Sequence, residues 1–190
     1  MTKVKKQPMS ATLTGDIDDL EEDDKLAFLK KEYDLAVKTA PDYSAQREEI
    51  DTYRVDLPKT PDYTELSKIN KLYAITQSFF SRVTAMEVVA IDAQSRWERL
   101  VILLEGHLED RMNELLSSDE FEDLTNMRAE AKAKTKLKKK RKALRRLKDK
   151  LIEAKSFKLM VEAKKKDLNS VLTTLGKQVK ALSLEQSLHK

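Results

Sequence analysis

Residues 72–115, LYAITQSFFSRVTAMEVVAIDAQSRWERLVILLEGHLEDRMNEL, decide the fold. Within them Leu72, Ile75, Phe79, Val83, Met86, Ala90, Ala93, Trp97, Leu100, Leu104, Leu108, Met112 and Leu115 follow one another by threes and fours. Twelve intervals cover 43 residues, a mean of 3.58, which is the period of a straight amphipathic helix. No proline occurs after Pro61, so the spacing predicts one helix over about residues 62–116, roughly 80 Å long at 1.5 Å per residue. Val88, Val89, Ile91, Ile102 and Leu103 widen the apolar stripe and predict contact with more than one neighbour.

Downstream, Ser117-Ser-Asp-Glu120 has the form of a capping box and predicts a turn near 117–118 that opens a second helix. Thr125-Asn126 is a point where that helix could be interrupted. From Leu137 a heptad continues to the C-terminus, with Lys140, Lys158 and Lys165 as its polar seam positions and Ala154 as a small one. The expected coiled-coil seam is Leu137, Leu144, Leu147, Leu151, Val161, Leu168, Leu172, Leu175, Val179 and Leu182. A parallel homodimer would set Lys150 against a second copy's Lys155, and like charges disfavour it. A short connection favours an antiparallel hairpin instead, in which facing residue numbers total about 234. Trp97 would then face Leu137, Ala90 would face Leu144, and Val83 would face Leu151. The fold class is all-α: an elongated helical hairpin or antiparallel coiled coil behind short N-terminal helices.

Upstream, residues 1–15 are polar and aperiodic, which predicts a flexible N-terminal arm. Residues 16–60 form an acidic region with two short helices, and 61–190 form the long hairpin. Leu26, Leu29, Tyr33 and Val37 share one helical face in the acidic region. A weak repeat follows: Tyr33 precedes Pro41-Asp-Tyr-Ser44 as Tyr53 precedes Pro61-Asp-Tyr-Thr64. Proline suits a first helical turn, so the repeat predicts two successive helices that begin alike, with Thr60 as an N-cap.

The composition narrows the chemistry. Without cysteine there is no thiolate nucleophile, disulfide or thiol metal site. Three glycines leave little for a phosphate-cradling loop, and His107 and His189 lie too far apart to suggest a ligand pair. The expectation is a protein that is not an enzyme and holds no cofactor or metal. Its longest apolar run, Leu100 to Leu104, is too short to span a bilayer, and no secretory signal is apparent. A cytoplasmic or other intracellular location, including the interior of a virion, is expected.

The net charge of +4 conceals an asymmetry. Residues 1–127 hold 16 basic and 27 acidic side chains, while 128–190 hold 21 and 6. The acidic extreme is 16–24, with seven carboxylates in nine residues; the basic extreme is 128–150, with thirteen cations and two acids. Charge blocks are most often solvated faces. As a functional feature, a basic helix neutralises phosphates by counterion release. Lys132, Lys134, Lys136, Lys138, Lys139, Lys140, Arg141, Lys142, Arg145, Arg146 and Lys148 are the candidates for binding nucleic acid or an acidic partner. No aromatic residue falls between Phe121 and Phe157, so base stacking is not encoded there. The lack of an aromatic wedge also argues against a membrane surface.

The functional expectation is a non-enzymatic structural or assembly protein, a helical scaffold subunit of a larger, virion-like complex or a homo-oligomer. The alternative is a nucleic-acid-binding accessory factor that contacts DNA or RNA backbone without sequence specificity. The acidic block could also dock on the basic helix, within one chain or between copies.

Overall fold

The computed structural model describes residues 24–59, 61–122 and 124–188. Among them every regular element is helical: α1 (Asp24–Thr39), α2 (Tyr43–Thr52), α3 (Leu66–Leu116), α4 (Asn126–Lys136) and α5 (Lys138–Leu188). Single 3-10 turns occupy Tyr63–Glu65 and Asp119–Phe121. The protein is an all-α helical hairpin in which the two 51-residue helices α3 and α5 pack together. Thr60, expected as an N-cap, and residues 1–23, which include the expected arm and acidic block, lie outside the described residues.

The helices divide between two compact units, one made of the residues up to Ala40 with Ala93–Ala154 and the other of Pro41–Asp92 with the residues from Lys155 on. In the first unit, α1 buries Leu29, Tyr33 and Ala36, spaced four and three apart as one helical face requires. The Tyr33 ring meets Trp97 on α3. Ala93, Trp97, Leu100, Leu104 and Leu108 are all buried, a row the 3.6 period defines. Leu137, at the junction between α4 and α5, is buried, as are Ala143, Leu147, Leu151 and Ala154 on α5. Glu105 of α3 pairs with Lys148 of α5 at 2.6 Å, and His107 meets Lys140 at 3.1 Å, so the helices run antiparallel here.

The connection differs from the expected tight turn. Ser117 Oγ donates to the Asn113 carbonyl and Ser118 Oγ to the Leu115 carbonyl, so both hydroxyls close off the end of α3. Ser118 therefore makes no side-chain cap to the helical turn that follows, and Glu120 turns to Lys132 and Lys136; the expected capping box does not form. Instead Phe121 packs with Ala129 and Ala133, against Met112, Leu115 and Leu124, and pulls α4 onto the end of the hairpin. The helix resumes at Asn126, after Thr125, as the Thr-Asn pair suggested. At Leu137, φ −89° and ψ 8° separate α4 from α5. The facing pair Glu105 and Lys148 totals 253 where about 234 was expected. The expected pairings of Trp97 with Leu137, Ala90 with Leu144 and Val83 with Leu151 are thus out of register, because 117–137 form a helical insertion between the long helices.

In the second unit, the two copies of the Pro-Asp-Tyr repeat do begin alike. Asp42 accepts from the Ser44 and Ala45 amides at the start of α2, and Asp62 accepts from the Thr64 amide ahead of α3. The cap is the aspartate after the proline, which satisfies amides that the first turn leaves without partners. Tyr43 packs on Phe157 with centroids 5.0 Å apart, and Tyr53 stacks on Phe79 at 3.8 Å. The Tyr53 hydroxyl donates to Thr76, whose own hydroxyl donates to the Leu72 carbonyl. This chain draws Thr76 inside and leaves its neighbour Ile75, assigned to the apolar row by spacing, 58% exposed.

The non-helical segment after α2 has carbonyls with no helical partner, and α5 supplies donors for two of them. Lys164 Nζ donates to the Tyr53 carbonyl at 2.7 Å and Gln178 Nε2 to the Pro58 carbonyl at 3.0 Å. Leu57 from this segment and Leu66, Leu72 and Tyr73 pack on Ile69, Leu175 and Leu182. Glu87 of α3 pairs with Lys165 of α5, again antiparallel. Val88, Val89 and Ile91, expected to widen the buried stripe, are exposed, as is Ile102 in the first unit.

Candidate functional site

The sequence-predicted seam divides into two rows. Leu147, Val161, Leu168, Leu175 and Leu182 are buried, every one at the heptad's second apolar position. Of the first-position row, Leu137 and Leu151 are buried, while Leu144, Leu172 and Val179 are half-buried. Phe157 and Ala143, one position earlier, complete the buried side of α5 and were not evident from an a/d pattern.

The eleven basic candidates separate by what the fold gives them as partners. On α4, Lys132 reaches Glu120 at 3.0 Å and Lys136 reaches the same carboxylate. Both ammonium groups also sit over the Phe121 ring, 5.0 and 5.3 Å from its centroid. Hydrogen bonds first from Lys136, then from Lys132, hold the Glu120 carboxyl below its usual range. Lys134 pairs with Glu130 one turn earlier and lowers that carboxyl too. On α5, Lys148 pairs with Glu105, Lys140 contacts His107, and Lys139 and Arg146 are engaged as well.

Four remain: Lys138, Arg141, Lys142 and Arg145. All are exposed, and none has an ion pair among the described residues. Their spacing of i, i+3, i+4 and i+7 places them on one face in the first two turns of α5. The face is about 10 Å long at the helical rise. Two guanidinium forks can each take two oxygens of one phosphate or carboxylate, and the two ammonium groups act as point charges beside them. The sequence shows the charge block but not this selection, because which lysines are neutralised depends on where Glu105 and Glu120 fall in three dimensions.

His107 is 4% exposed. Its Nε2 lies 3.1 Å from the Lys140 ammonium, which can only donate in that contact. His189 lies outside the described residues. Among the described residues no three His, Asp or Glu side chains gather to hold a metal ion. No described helix is long and apolar enough to cross a membrane. No family model matches the chain, and neither a curated protein nor a solved structure is significantly similar to it.

Proposed function

We propose that the chain is a non-catalytic helical scaffold subunit that presents the first turns of α5 to a nucleic-acid phosphate backbone. One observation carries this: Lys138, Arg141, Lys142 and Arg145 stand together on one exposed face without ion pairs among the described residues. An unneutralised cationic face attracts phosphates through counterion release, which needs no base recognition. The absence of aromatic side chains between Phe121 and Phe157 fits backbone contact rather than stacking. Burial of His107 against a lysine supports a non-catalytic role, since its ring is not presented to solvent. Exposed Val88 and Ile91 in one unit and Ile102 and Ile152 in the other suit a chain that packs on further copies.

The test is binding of a fluorescent 20-base-pair duplex over a salt series. Four phosphate contacts predict a slope of log affinity against log salt of about −3 to −4. Replacing Lys138, Arg141, Lys142 and Arg145 by Gln should remove binding without changing helical circular dichroism. Native mass measured without nucleic acid separates a scaffold, which assembles alone, from an accessory factor, which does not. Salt-independent binding, or binding untouched by the four changes, overturns the proposal.

A further inference from the structure

One flank of the first unit sets an exposed apolar pair beside two rows of opposite charge. Glu105 of α3 and Lys148 of α5 meet across the hairpin, which places both side chains on the same flank. Ile102 lies three residues before Glu105 and Ile152 four residues after Lys148, so each shares a helical face with its half of the ion pair. Because the helices run antiparallel here, back along α3 and forward along α5 are the same direction. The two isoleucines therefore stand level with one another, each about 5 Å along the hairpin from the ion pair. They are 62% and 64% exposed. In the other direction Glu109 follows Glu105 by four residues and Arg145 precedes Lys148 by three, again at one level. Both are exposed, and neither has an ion pair among the described residues. The α3 row thus reads apolar, acid, acid, and the α5 row at the same heights reads apolar, base, base.

We propose that this flank docks on the same flank of a second copy, related by a two-fold axis that runs along the hairpin. The inference rests on the scaffold reading and names the surface through which copies meet. Such a rotation lays α3 of one copy over α5 of the other without shifting either along its length. Ile102 then packs on Ile152 of the second copy, Glu105 faces Lys148 and Glu109 faces Arg145, and each contact occurs twice. Charge complementarity selects this occupant and this axis. A two-fold axis across the hairpin would stack acid on acid and base on base, which like-charge repulsion disfavours. Six side chains from each copy fall short of the about 20–30 residues of a stable interface, so the pair should be weak, with a Kd of about 10–100 μM. Arg145 lies on both this surface and the basic face, so a second copy and phosphate compete for it. Lys138, Arg141 and Lys142 lie nearer the start of α5 and remain for phosphate.

Sedimentation equilibrium of the full chain from about 5 to about 500 μM tests this, since pairing depends on protomer concentration. The parent chain should pass from monomer toward dimer across that range. Changing Ile102 and Ile152 together to Gln should raise the dimer Kd at least about tenfold while leaving the helical circular dichroism intact, because neither side chain is buried within one copy. A charge swap tests the register. One variant carries Glu105→Lys and Glu109→Lys, the other Arg145→Glu and Lys148→Glu. Each alone should stay monomeric, and an equal mixture should recover the mass of the pair, because every reversed row then meets its opposite. If a reversed chain loses helicity, the glutamine variant alone decides. A mixture of folded reversed chains that stays monomeric overturns the proposal. A parent chain that assembles equally well with the isoleucines replaced overturns this surface and leaves the scaffold reading standing. A parent chain that is monomeric throughout overturns both. Duplex titration at nanomolar chain, below the pairing range, reads the nucleic-acid proposal by itself.

Discussion

The edge of the Tyr33 ring meets the Trp97 indole with centroids 5.9 Å apart and planes inclined by 62°. Both residues are buried, at 3% and 2% exposure, and Trp97 is the chain's one tryptophan. The pair fixes α1 on α3, since an edge-to-face contact adds directional attraction to apolar burial. Tyr33→Ala should destabilise the first unit by about 3–5 kcal/mol, the usual cost of removing a large buried aromatic. Trp97 emission should shift to longer wavelength in the folded variant, because water gains access to the indole. Unchanged emission and an unchanged unfolding midpoint would show that α1 is not held by this contact.

Burial, then the nearby Asp34 carboxylate, raises the Tyr33 hydroxyl to about 12 from its ordinary 10. The raised value means that the fold favours the neutral phenol. That contribution is fully present below pH 10 and is lost as the pH rises from 10 through 12. Tyr33→Phe cannot ionise, so its thermal midpoint should fall less steeply across this window than that of the parent chain. Parallel curves would remove Tyr33 from the alkaline transition.

Glu120 behaves in the opposite sense. Lys136 and Lys132 lower its carboxyl, so the pairing it contributes is present above the unfolded carboxylate range and is lost as the pH falls through the folded value. Because the group is exposed, the effect should be salt-sensitive. Carboxyl NMR titration should place Glu120 below an unpaired exposed glutamate at low ionic strength, with the gap narrowing in 0.5 M salt. A salt-independent gap would implicate something other than the two lysines.

Asp42 and Asp62 fill the same role twenty residues apart. Asp42→Ala removes an acceptor shared by two amides and should cost about 1 kcal/mol, with Asp42→Asn retaining most of the stability. Asp62→Ala, with a single amide partner, should cost no more than Asp42→Ala. Thermal denaturation of the three variants checks the ordering.

Leu175 is fully buried with Ile69 and Leu182, whereas Leu172 is half-buried. Leu175→Ala should cost about 2–5 kcal/mol and Leu172→Ala clearly less. Equal losses would mean that α5 packs symmetrically through both seam rows.

Much of this architecture was legible because helical period and proline exclusion are local properties. The row from Leu72 to Leu115 needed only spacing, and its one exposed member, Ile75, arose because Tyr53 draws Thr76 inward through a hydrogen bond from 23 residues away. Register was not legible: Ser117 and Glu120 have the residue types of a capping box, yet Phe121 finds Ala129 and Ala133 and turns the connection into a helix. The basic block could be found by counting, but its neutralised members could not. Glu120 lies sixteen residues from Lys136, and Glu105 lies forty-three from Lys148, so the pairing follows from the fold and not from adjacency.

The double grip on Glu120 has a thermodynamic corollary. While that carboxylate is charged it holds both Lys132 and Lys136 and offsets one of their two positive charges; its protonation would release both ammonium groups from that grip. Any anion drawn to these two ammonium groups would compete with the Glu120 carboxylate for them, so its uptake and the protonation of Glu120 would favour one another by the same factor.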